Sequence, residues 1–280
     1  MLVLTCSSKL SALRQLLTHS FPESLKACGA LHHVIIGNPF KLEVLVDQWP
    51  DFSTVICRPS LEDMKGPSDP YTNTYFLFSK EPQNLRQMLE DPHAVNWNQD
   101  LQINGCQPTL GCVLQEVSSK HGRHMHTTSN FLYMMDRMRD EELEKINSIR
   151  DLQFSSLLPD EAPLVNAIWG YGGNDRSERY LSRCIQSFPT VCMRRGGVRE
   201  PLAWVMSEQS AEMRMGYTDK LYRGQGVFRT MIRKLATNLE SIGTPLYCHV
   251  APDNKSSQAA TLAAGFPMAG RWQQWNFQPL

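Results

Sequence analysis

Tyr222-Arg223-Gly224-Gln225-Gly226-Val227 is the stretch on which the reading of this chain turns. Its glycines lie between a strand-like segment, Glu212 to Tyr217, and the most regular amphipathic segment of the sequence, Val227 to Leu239. In that second segment Phe228, Met231, Ile232, Leu235 and Leu239 fall on one helical face. A strand that turns through glycines into a helix is a place for a diphosphate. The first N–H groups of a helix lack internal partners, and the aligned peptide dipoles leave positive potential there. Glycines let the backbone curl until several N–H groups converge on an anion. Arg223 adds a charge-assisted contact. Other phosphate loops are excluded by spacing: G-x-x-x-x-G-K-[ST] is absent, and a dinucleotide fingerprint needs Gly or Ala at 229, which is Arg. A purely structural turn is the alternative.

Outward from this loop, the second half of the chain reads as regular α/β (α+β) structure. Pro159–Trp169 and Arg176–Gln186 fit helices, with Asp160 and Glu161 at the positive end of the first. Val191–Arg195 and Leu202–Ser207 are strands joined across Gly196-Gly197. Leu246–Val250 is a strand and Lys255–Ala264 a helix stopping at Gly265, with Gly243 placed to end the helix before them. Phe266–Leu280 supplies one or two closing strands. In the first half, strands are expected at Leu31–Ile36, Phe52–Cys57 and Tyr71–Ser79, helices at Pro82–Leu89 and Gln107–Ser118, and a turn at Gly37-Asn38-Pro39. Apolar periodicity fades from Ser119 to Asp151, where a dense charged run occupies Asp136–Lys145. The expected division is therefore 1–118, a solvated connection at 119–151, and 152–280.

Composition bounds the function. Of 280 residues, 41% are hydrophobic and 20% charged, a globular balance. Lys plus Arg equals Asp plus Glu at 28 each, so no general field attracts nucleic acid or anionic lipid, and anion binding must be local. No apolar run is long enough for a membrane span. The first 22 residues are acid-free and carry Leu10, Leu13, Leu16 and Leu17 at helical spacing. That pattern suits a mitochondrial address or simply a first helix of the fold. The eight cysteines show no C-x-x-C pair, and reduced, buried thiols are expected. His121, His124 and His126 lie in a polar stretch without carboxylate or thiol support, so a solvated loop is expected there and no metal site.

Two resemblances sharpen this. Arg223-Gly224-Gln225-Gly226 resembles the coenzyme-A pyrophosphate loop of the GCN5-related N-acetyltransferase (GNAT) fold, and Asn254, ten residues before Ala264-Gly265-Phe266, resembles the second half of that coenzyme site. Phe228 departs from the pattern, since most of that superfamily has Gly or Ala there. A narrower resemblance covers nearly the whole chain. Asn38-Pro39-Phe40, Trp49-Pro50-Asp51-Phe52, Tyr71-Thr72-Asn73-Thr74-Tyr75 and Asn96-Trp97 look like the N-terminal half of the glycine N-acyltransferase family. Gly173-Asn174-Asp175-Arg176-Ser177, Glu212-Met213-Arg214-Met215-Gly216-Tyr217 and Trp272-Gln273-Gln274-Trp275 look like its C-terminal half. The resemblance implies two GNAT-like halves with mixed, mostly antiparallel sheets flanked by helices, the N-terminal one degenerate. It implies an acyltransferase that conjugates acyl-coenzyme A to a small amino acid, glycine favoured. Glutamine or another amine as acceptor is the alternative, as is a non-catalytic acyl-coenzyme A binder.

The chemistry points to residues. A glycine ammonium cannot attack a thioester until it loses a proton, so a base must stand within hydrogen-bond reach. Glu212, leading into the coenzyme loop, matches the position the family appears to use as general base, and it shares a strand face with Arg214. His249 on the neighbouring strand could assist a proton transfer or be a core histidine. The resemblance assigns coenzyme contacts to Met215, Gly216, Tyr217, Arg223, Gly224, Gln225, Gly226, Val227 and Asn254, and an oxyanion site to the backbone of Met213 to Met215. Asn166, Trp169, Asn174 and Arg176, around the break between the first two helices of that half, are candidates for the acceptor's carboxylate. No Tyr stands in Ala260-Thr261-Leu262-Ala263-Ala264 to serve as general acid. Trp272 and Trp275 are expected to pack in the core or at its rim. No metal and no permanently bound cofactor is required, acyl-coenzyme A being a co-substrate. A monomer is expected, in the mitochondrion, with the cytoplasm or the endoplasmic reticulum surface as alternatives.

Overall fold

The structure is a computed structural model and describes residues 1–65, 68–138 and 152–280. Most of the charged run lies outside the described residues. The element order is β1 (Leu2–Leu4), α1 (Ser7–Thr18), α2 (Leu25–Ile35), β2 (Leu42–Val46), β3 (Thr54–Pro59), β4 (Thr74–Ser79), α3 (Pro82–Glu90), β5 (Leu101–Gly105), α4 (Gly111–Lys120) and β6 (Arg123–Met135). There follow β7 (Leu152–Ser155), α5 (Ala162–Ile168), α6 (Asp175–Ser187), β8 (Thr190–Arg195), β9 (Pro201–Ser207), β10 (Met213–Thr218), α7 (Val227–Ser241), β11 (Leu246–Val250), α8 (Lys255–Ala263) and β12 (Met268–Pro279). The second ten repeat the first ten in type and order: strand, two helices, three strands, helix, strand, helix, strand. This is the duplication the family resemblance implied and hydrophobic periodicity did not display. Among the described residues, no helix is long and apolar enough to cross a membrane.

Contacts divide the chain into two compact units, Met1–Asn130 with Gly270–Leu280, and Phe131–Ala269. In each, every measured strand pairing is antiparallel except one: β4 with β5 in the first and β10 with β11 in the second. A helix crosses over between the two strands of each parallel pair, as such a pair requires. The last strand of each repeat has changed places. β12 pairs with β5, setting Trp275 opposite Ile103, while Phe131–Met135 of β6 pairs with β11. The sequence reading, which placed 152–280 together, assigned β12 to the other unit. Alternation of apolar residues shows that a strand exists but not which neighbour it joins.

The first unit's core lies where α3 and α4 cover the sheet, with Tyr75, Leu77, Leu85, Leu89, Ile103, Leu114, Trp275 and Phe277 buried. The second unit's core lies under α7, from which Met231, Ile232, Leu235, Ala236 and Leu239 are buried against Val191, Val205 and Leu246. The two parallel pairs differ in a way that bears on function. β4 and β5 are joined at three registers, Thr74↔Gln102, Tyr75↔Ile103 and Phe76↔Asn104. The end of β4 is clasped by Gln107, whose Oε1 accepts from the Ser79 N–H (2.9 Å) and whose Nε2 donates to the Ser79 carbonyl (2.7 Å). α3 then begins at Glu81-Pro82, with no glycine loop and an acid beside its positive end. β10 and β11 touch at one register only, Met213↔Cys248. The first pair is zipped; the second opens.

Several expectations are corrected. Leu31–Ile35 lies in α2, with Ile36 its C-cap, not in a strand: Leu25, Ala27, Cys28, Ala30 and Leu31 are all buried, so a helix covered on most sides reads as a short apolar run. Residues 123–135 form a long strand where a solvated connection was expected, and His124 and His126 stand exposed on it. Phe266–Leu280 supplies one closing strand, within the one or two expected. β1, β2, β5 and β7 were not anticipated. The N-terminal amphipathic segment is a packed helix burying Leu10, Leu13 and Leu17, and Trp272 and Trp275 are buried. All eight cysteines are free thiols. Burial pushes the thiols of Cys28, Cys57 and Cys248 up to about 12.

Candidate active site

The second unit assembles its polar residues where β10 leaves β11. β10 pairs with β9 at Met213 and Arg214, loses register, and resumes at Tyr217 and Thr218. Met215 sits at φ 56°, the left-handed region that an unbranched side chain enters only under constraint. The strand therefore bulges at Met215 and Gly216 on one side while it departs from β11 on the other.

Phe228, the departure in the phosphate loop, lies against this bulge. A Cβ built on Gly216 would stand 2.6 Å from Phe228 Cζ, so glycine at 216 is what admits the ring. Behind the ring the Gly224–Gly226 loop enters α7, with Gly224 at φ 74° and Gly226, the N-cap, at φ 79°. Nothing approaches within 4 Å of a Cβ built on Gly224, so this side of the loop is open. Arg223 is turned back: its Nε donates to the Thr218 carbonyl at 2.9 Å, and its guanidinium lies 6.0 Å from the Tyr217 ring centre. Arg229, which sequence reasoning used only to exclude a dinucleotide site, leans over Gly226, its Nη2 3.4 Å from a Cβ built there. Gln225 Nε2 donates to the Leu221 carbonyl at 2.9 Å. Val227 is the first residue of α7 and is buried in the core that the helix covers. Asn254 caps α8, accepting from the Ser257 N–H at 3.1 Å.

Glu212 is the last residue before β10 and is 1% exposed. Its Oε1 lies 2.7 Å from His249 Nδ1, and its Oε2 lies 3.7 Å from Arg214 Nε. Met213 and Cys248, paired across the strands, face the α7 core, so Glu212, Arg214 and His249 share the opposite face. There α6 supplies Tyr180, whose hydroxyl donates to Glu208 at 3.4 Å. Glu208 is itself buried. It accepts from the Ser210 N–H at 3.1 Å and from the Ser210 hydroxyl, and Tyr247 donates to the Ser210 carbonyl at 2.5 Å. These bonds fix the turn from β9 into Glu212, in which Ala211 adopts φ 66°. Burial works against the charge of Arg214, but the carboxylates of Glu212 and Glu208 outweigh it and hold the guanidinium above its ordinary range. Burial, then Cys184 and Glu208, raise the Tyr180 hydroxyl well above its own.

The four residues expected to meet the acceptor divide. Asn166 is buried and spent internally: its Oδ1 accepts from Gly173 N–H (2.9 Å) and Ser177 Oγ (2.6 Å), and its Nδ2 donates to the Asn174 carbonyl (3.2 Å). Asn174 caps α6, accepting from the N–H groups of Arg176 and Ser177 at 3.0 Å each. Arg176 is exposed on the first turn of α6. Trp169 packs with Tyr171 and Tyr180, ring centres 5.9 and 6.4 Å away. Sequence reasoning missed Glu208 and saw Arg214 only as a partner for Glu212. Thr261, where many GNAT proteins carry a Tyr nearby, is buried beside Cys248. An open groove of about 340 Å³ lined by residues such as Phe154, Arg194 and Arg199 contains none of these groups.

Residues 1–189 match the family model for aralkyl acyl-CoA:amino acid N-acyltransferases, and residues 191–279 match the model for that family's C-terminal region. The chain belongs to the aralkyl acyl-CoA:amino acid N-acyltransferase family. It is an acyltransferase. A glycine N-acyltransferase from Bos taurus is 37% identical over 296 residues, spanning 100% of both chains. Among solved structures, a Drosophila protein superposes with TM-score 0.77 at 14% identity, over 99% of this chain and 98% of that one. A tandem GNAT protein of the clavulanic acid biosynthesis pathway superposes with TM-score 0.54 at 13% identity, over 98% and 97%. At such identities the two structures speak for the fold alone, and they agree with the repeated element order. The family's description includes the coenzyme-A thioester as donor and an amino acid as acceptor.

Proposed function

We propose that this acyltransferase joins the acyl group of an acyl-coenzyme A to the amino group of glycine, with Glu212 as general base. The observation that carries the proposal is the position of the buried Glu212 carboxylate, at the start of the strand that opens from β11, 2.7 Å from His249. Donor and base meet at that opening. The pyrophosphate of the donor takes the amides of the Gly224–Gly226 loop and the positive end of α7, with Arg229 as a further cation. The pantetheine arm then leads the thioester toward the opening between β10 and β11.

The acceptor enters from the α5–α6 face. Glu212 removes one proton from the ammonium, and the neighbouring His249 imidazole takes or shares it. The freed amine attacks the thioester carbon, and the oxygen becomes negative in the tetrahedral intermediate. The donors assigned to that charge are the backbone N–H groups of the β10 bulge, Met213 to Met215. Collapse breaks the C–S bond. The second amine proton leaves as the amide forms, and the thiolate ends as coenzyme-A thiol. The balance is thioester plus glycine zwitterion giving N-acylglycine, free thiol and a proton accounted for on the Glu212–His249 pair.

Glycine is the leading acceptor because the Bos taurus relative, matched end to end, bears that name. The test is thiol release from acetyl-, octanoyl-, benzoyl- and phenylacetyl-coenzyme A with glycine or glutamine as acceptor. Glycine-dependent release is expected. Release with glutamine alone would replace the acceptor, and binding of donors without release for either acceptor would support a non-catalytic binder.

A further inference from the structure

The turn from β9 to the base is buried along its whole length: no residue from Glu208 to Glu212 is more than 4% exposed. Turns ordinarily lie at the surface, and one taken inside must satisfy its polar groups within the fold. Glu208 satisfies many of them. Its N–H donates to the Glu212 carbonyl at 3.2 Å, and its carbonyl accepts from the Ala211 N–H at 2.8 Å. Its Oε1 accepts from the Ser210 N–H at 3.1 Å and from the Ser210 hydroxyl, while its Oε2 accepts from the Tyr180 hydroxyl at 3.4 Å. From β11, Tyr247 donates to the Ser210 carbonyl at 2.5 Å. The turn so closed keeps Ala211 at φ 66°, a conformation that a residue with a Cβ holds only under constraint. It delivers Glu212 to within 2.7 Å of His249. The reach of Glu208 extends past the turn, because its charge and that of Glu212 act on the same guanidinium, Arg214.

We infer that Glu208 is a positioning residue for the general base: it fixes the turn that presents Glu212, and it takes part of the charge of Arg214 that would otherwise fall on Glu212 alone. The inference rests on the reaction proposed above and deepens it. A guanidinium near a carboxylate favours its ionised form, which makes that carboxylate a weaker base. A second carboxylate acting on the same guanidinium offsets part of the pull. Without the charge of Glu208, the pull of Arg214 would go to Glu212, which would then accept a proton less readily. The other titratable groups facing the pair are His249 and Cys248 from β11, Tyr180 and Cys184 from α6, and Tyr171 from the loop before α6. Burial raises the thiols of Cys184 and Cys248 and the hydroxyl of Tyr180, so these three keep their protons near neutral pH. The turn therefore has two separable duties, one of reach and one of charge.

The experiment separates the two duties by following thiol release from benzoyl-coenzyme A at saturating glycine across pH 5–9. Glu208→Gln keeps the length of the side chain and an acceptor oxygen for Ser210, and removes the charge. Its acid limb of kcat, which belongs to the Glu212–His249 pair together, is expected to move down by roughly 0.5–1 pH unit. That is a part of the roughly 1–3 units an adjacent arginine commands. Glu208→Asp keeps the charge and shortens the reach. Its limb should stay in place while kcat falls by up to about 10²-fold, the cost of a misplaced catalytic group. Both variants should bind coenzyme A in titration as the unaltered protein does. A merely structural Glu208 would lower kcat in both variants and leave both limbs where they are. That result, or loss of coenzyme-A binding in Glu208→Gln, overturns the assignment while leaving the glycine reaction standing. Absence of any glycine-dependent release from the unaltered protein would overturn the proposed reaction, and this assignment with it.

Discussion

Gly216→Ala tests whether the bulge and the helix that follows it are built as one piece. The added Cβ would stand 2.6 Å from Phe228 Cζ, roughly an ångström inside ordinary carbon–carbon separation of about 3.5–4.0 Å. The ring tip must move, and Phe228 sits in the first turn of α7, two residues past the N-cap Gly226. Either the ring swings outward and loses contacts, or the start of α7 shifts and takes the amides of the Gly224–Gly226 loop with it. Overpacking of this kind costs about 1–3 kcal/mol, and the half-buried state of Phe228 places the loss toward the lower end. The assay is a double-mutant cycle read in urea denaturation and in coenzyme-A binding. Gly216→Ala should lose about 1–2 kcal/mol of stability and weaken coenzyme-A binding. Phe228→Ala should restore most of both in the double variant, a coupling of at least about 0.5 kcal/mol. Additive effects would mean that Phe228 does not set the residue at 216, and the reasoning would fail.

Asn174→Ala removes the α6 cap and should lower stability by about 0.5–2 kcal/mol in urea denaturation, with the glycine KM unchanged apart from the global loss. Gly226→Ala forces φ 79° on a residue with a Cβ, and should lower stability by about 1–2 kcal/mol while weakening coenzyme-A binding in titration. The first unit should be acid-sensitive. Burial, aided by Arg14, lowers His32 from 6.5 to about 4, and burial, aided by His32, lowers His33 from 6.5 to about 3. A depressed folded value means the stabilisation is whole above pH 6.5 and is lost as pH falls toward 4 and 3. At pH 5 the His33 share amounts to about 2 kcal/mol. Denaturation midpoints at pH 7.5 and pH 5 check this, and His33→Gln should flatten the difference.

The loop, the helix after it and the strand before it were legible because each has a local signature: glycines at the turn, a 3.6-residue apolar period, a carboxylate two positions from an arginine. α7, α6, β8, β9 and β11 were readable within a residue or two for the same reason. What was hidden is long-range. The exchange of β6 and β12 between units leaves no local trace, since Trp275 alternates the same way whichever strand it faces. α2 was misread because burial on most sides erases the amphipathic contrast. Within the site, Glu212, His249 and the loop were singled out from the chain, but the roles of Asn166 and Asn174 depend on a hydrogen-bond network formed only when α5 and α6 meet. Glu208 stands four residues from Glu212 in a segment with no regular period, and only the folded turn brings it under Tyr180 and Ser210. Phe228 was noticed as a departure from the loop's pattern; that Gly216 makes room for its ring shows only in the folded structure.

The central claim is that Glu212 strips the proton from the attacking amine, and Glu212→Gln measures it most directly. The substitution keeps the size of the side chain and removes its basicity. Followed by thiol release at saturating glycine across pH 6–10, with coenzyme-A titration alongside, the variant should lose about 10²–10⁴-fold in kcat at neutral pH. It should recover activity as rising pH deprotonates the amine without help, and should bind coenzyme A as the unaltered protein does. Turnover in Glu212→Gln equal to that of the unaltered protein at neutral pH would contradict the account.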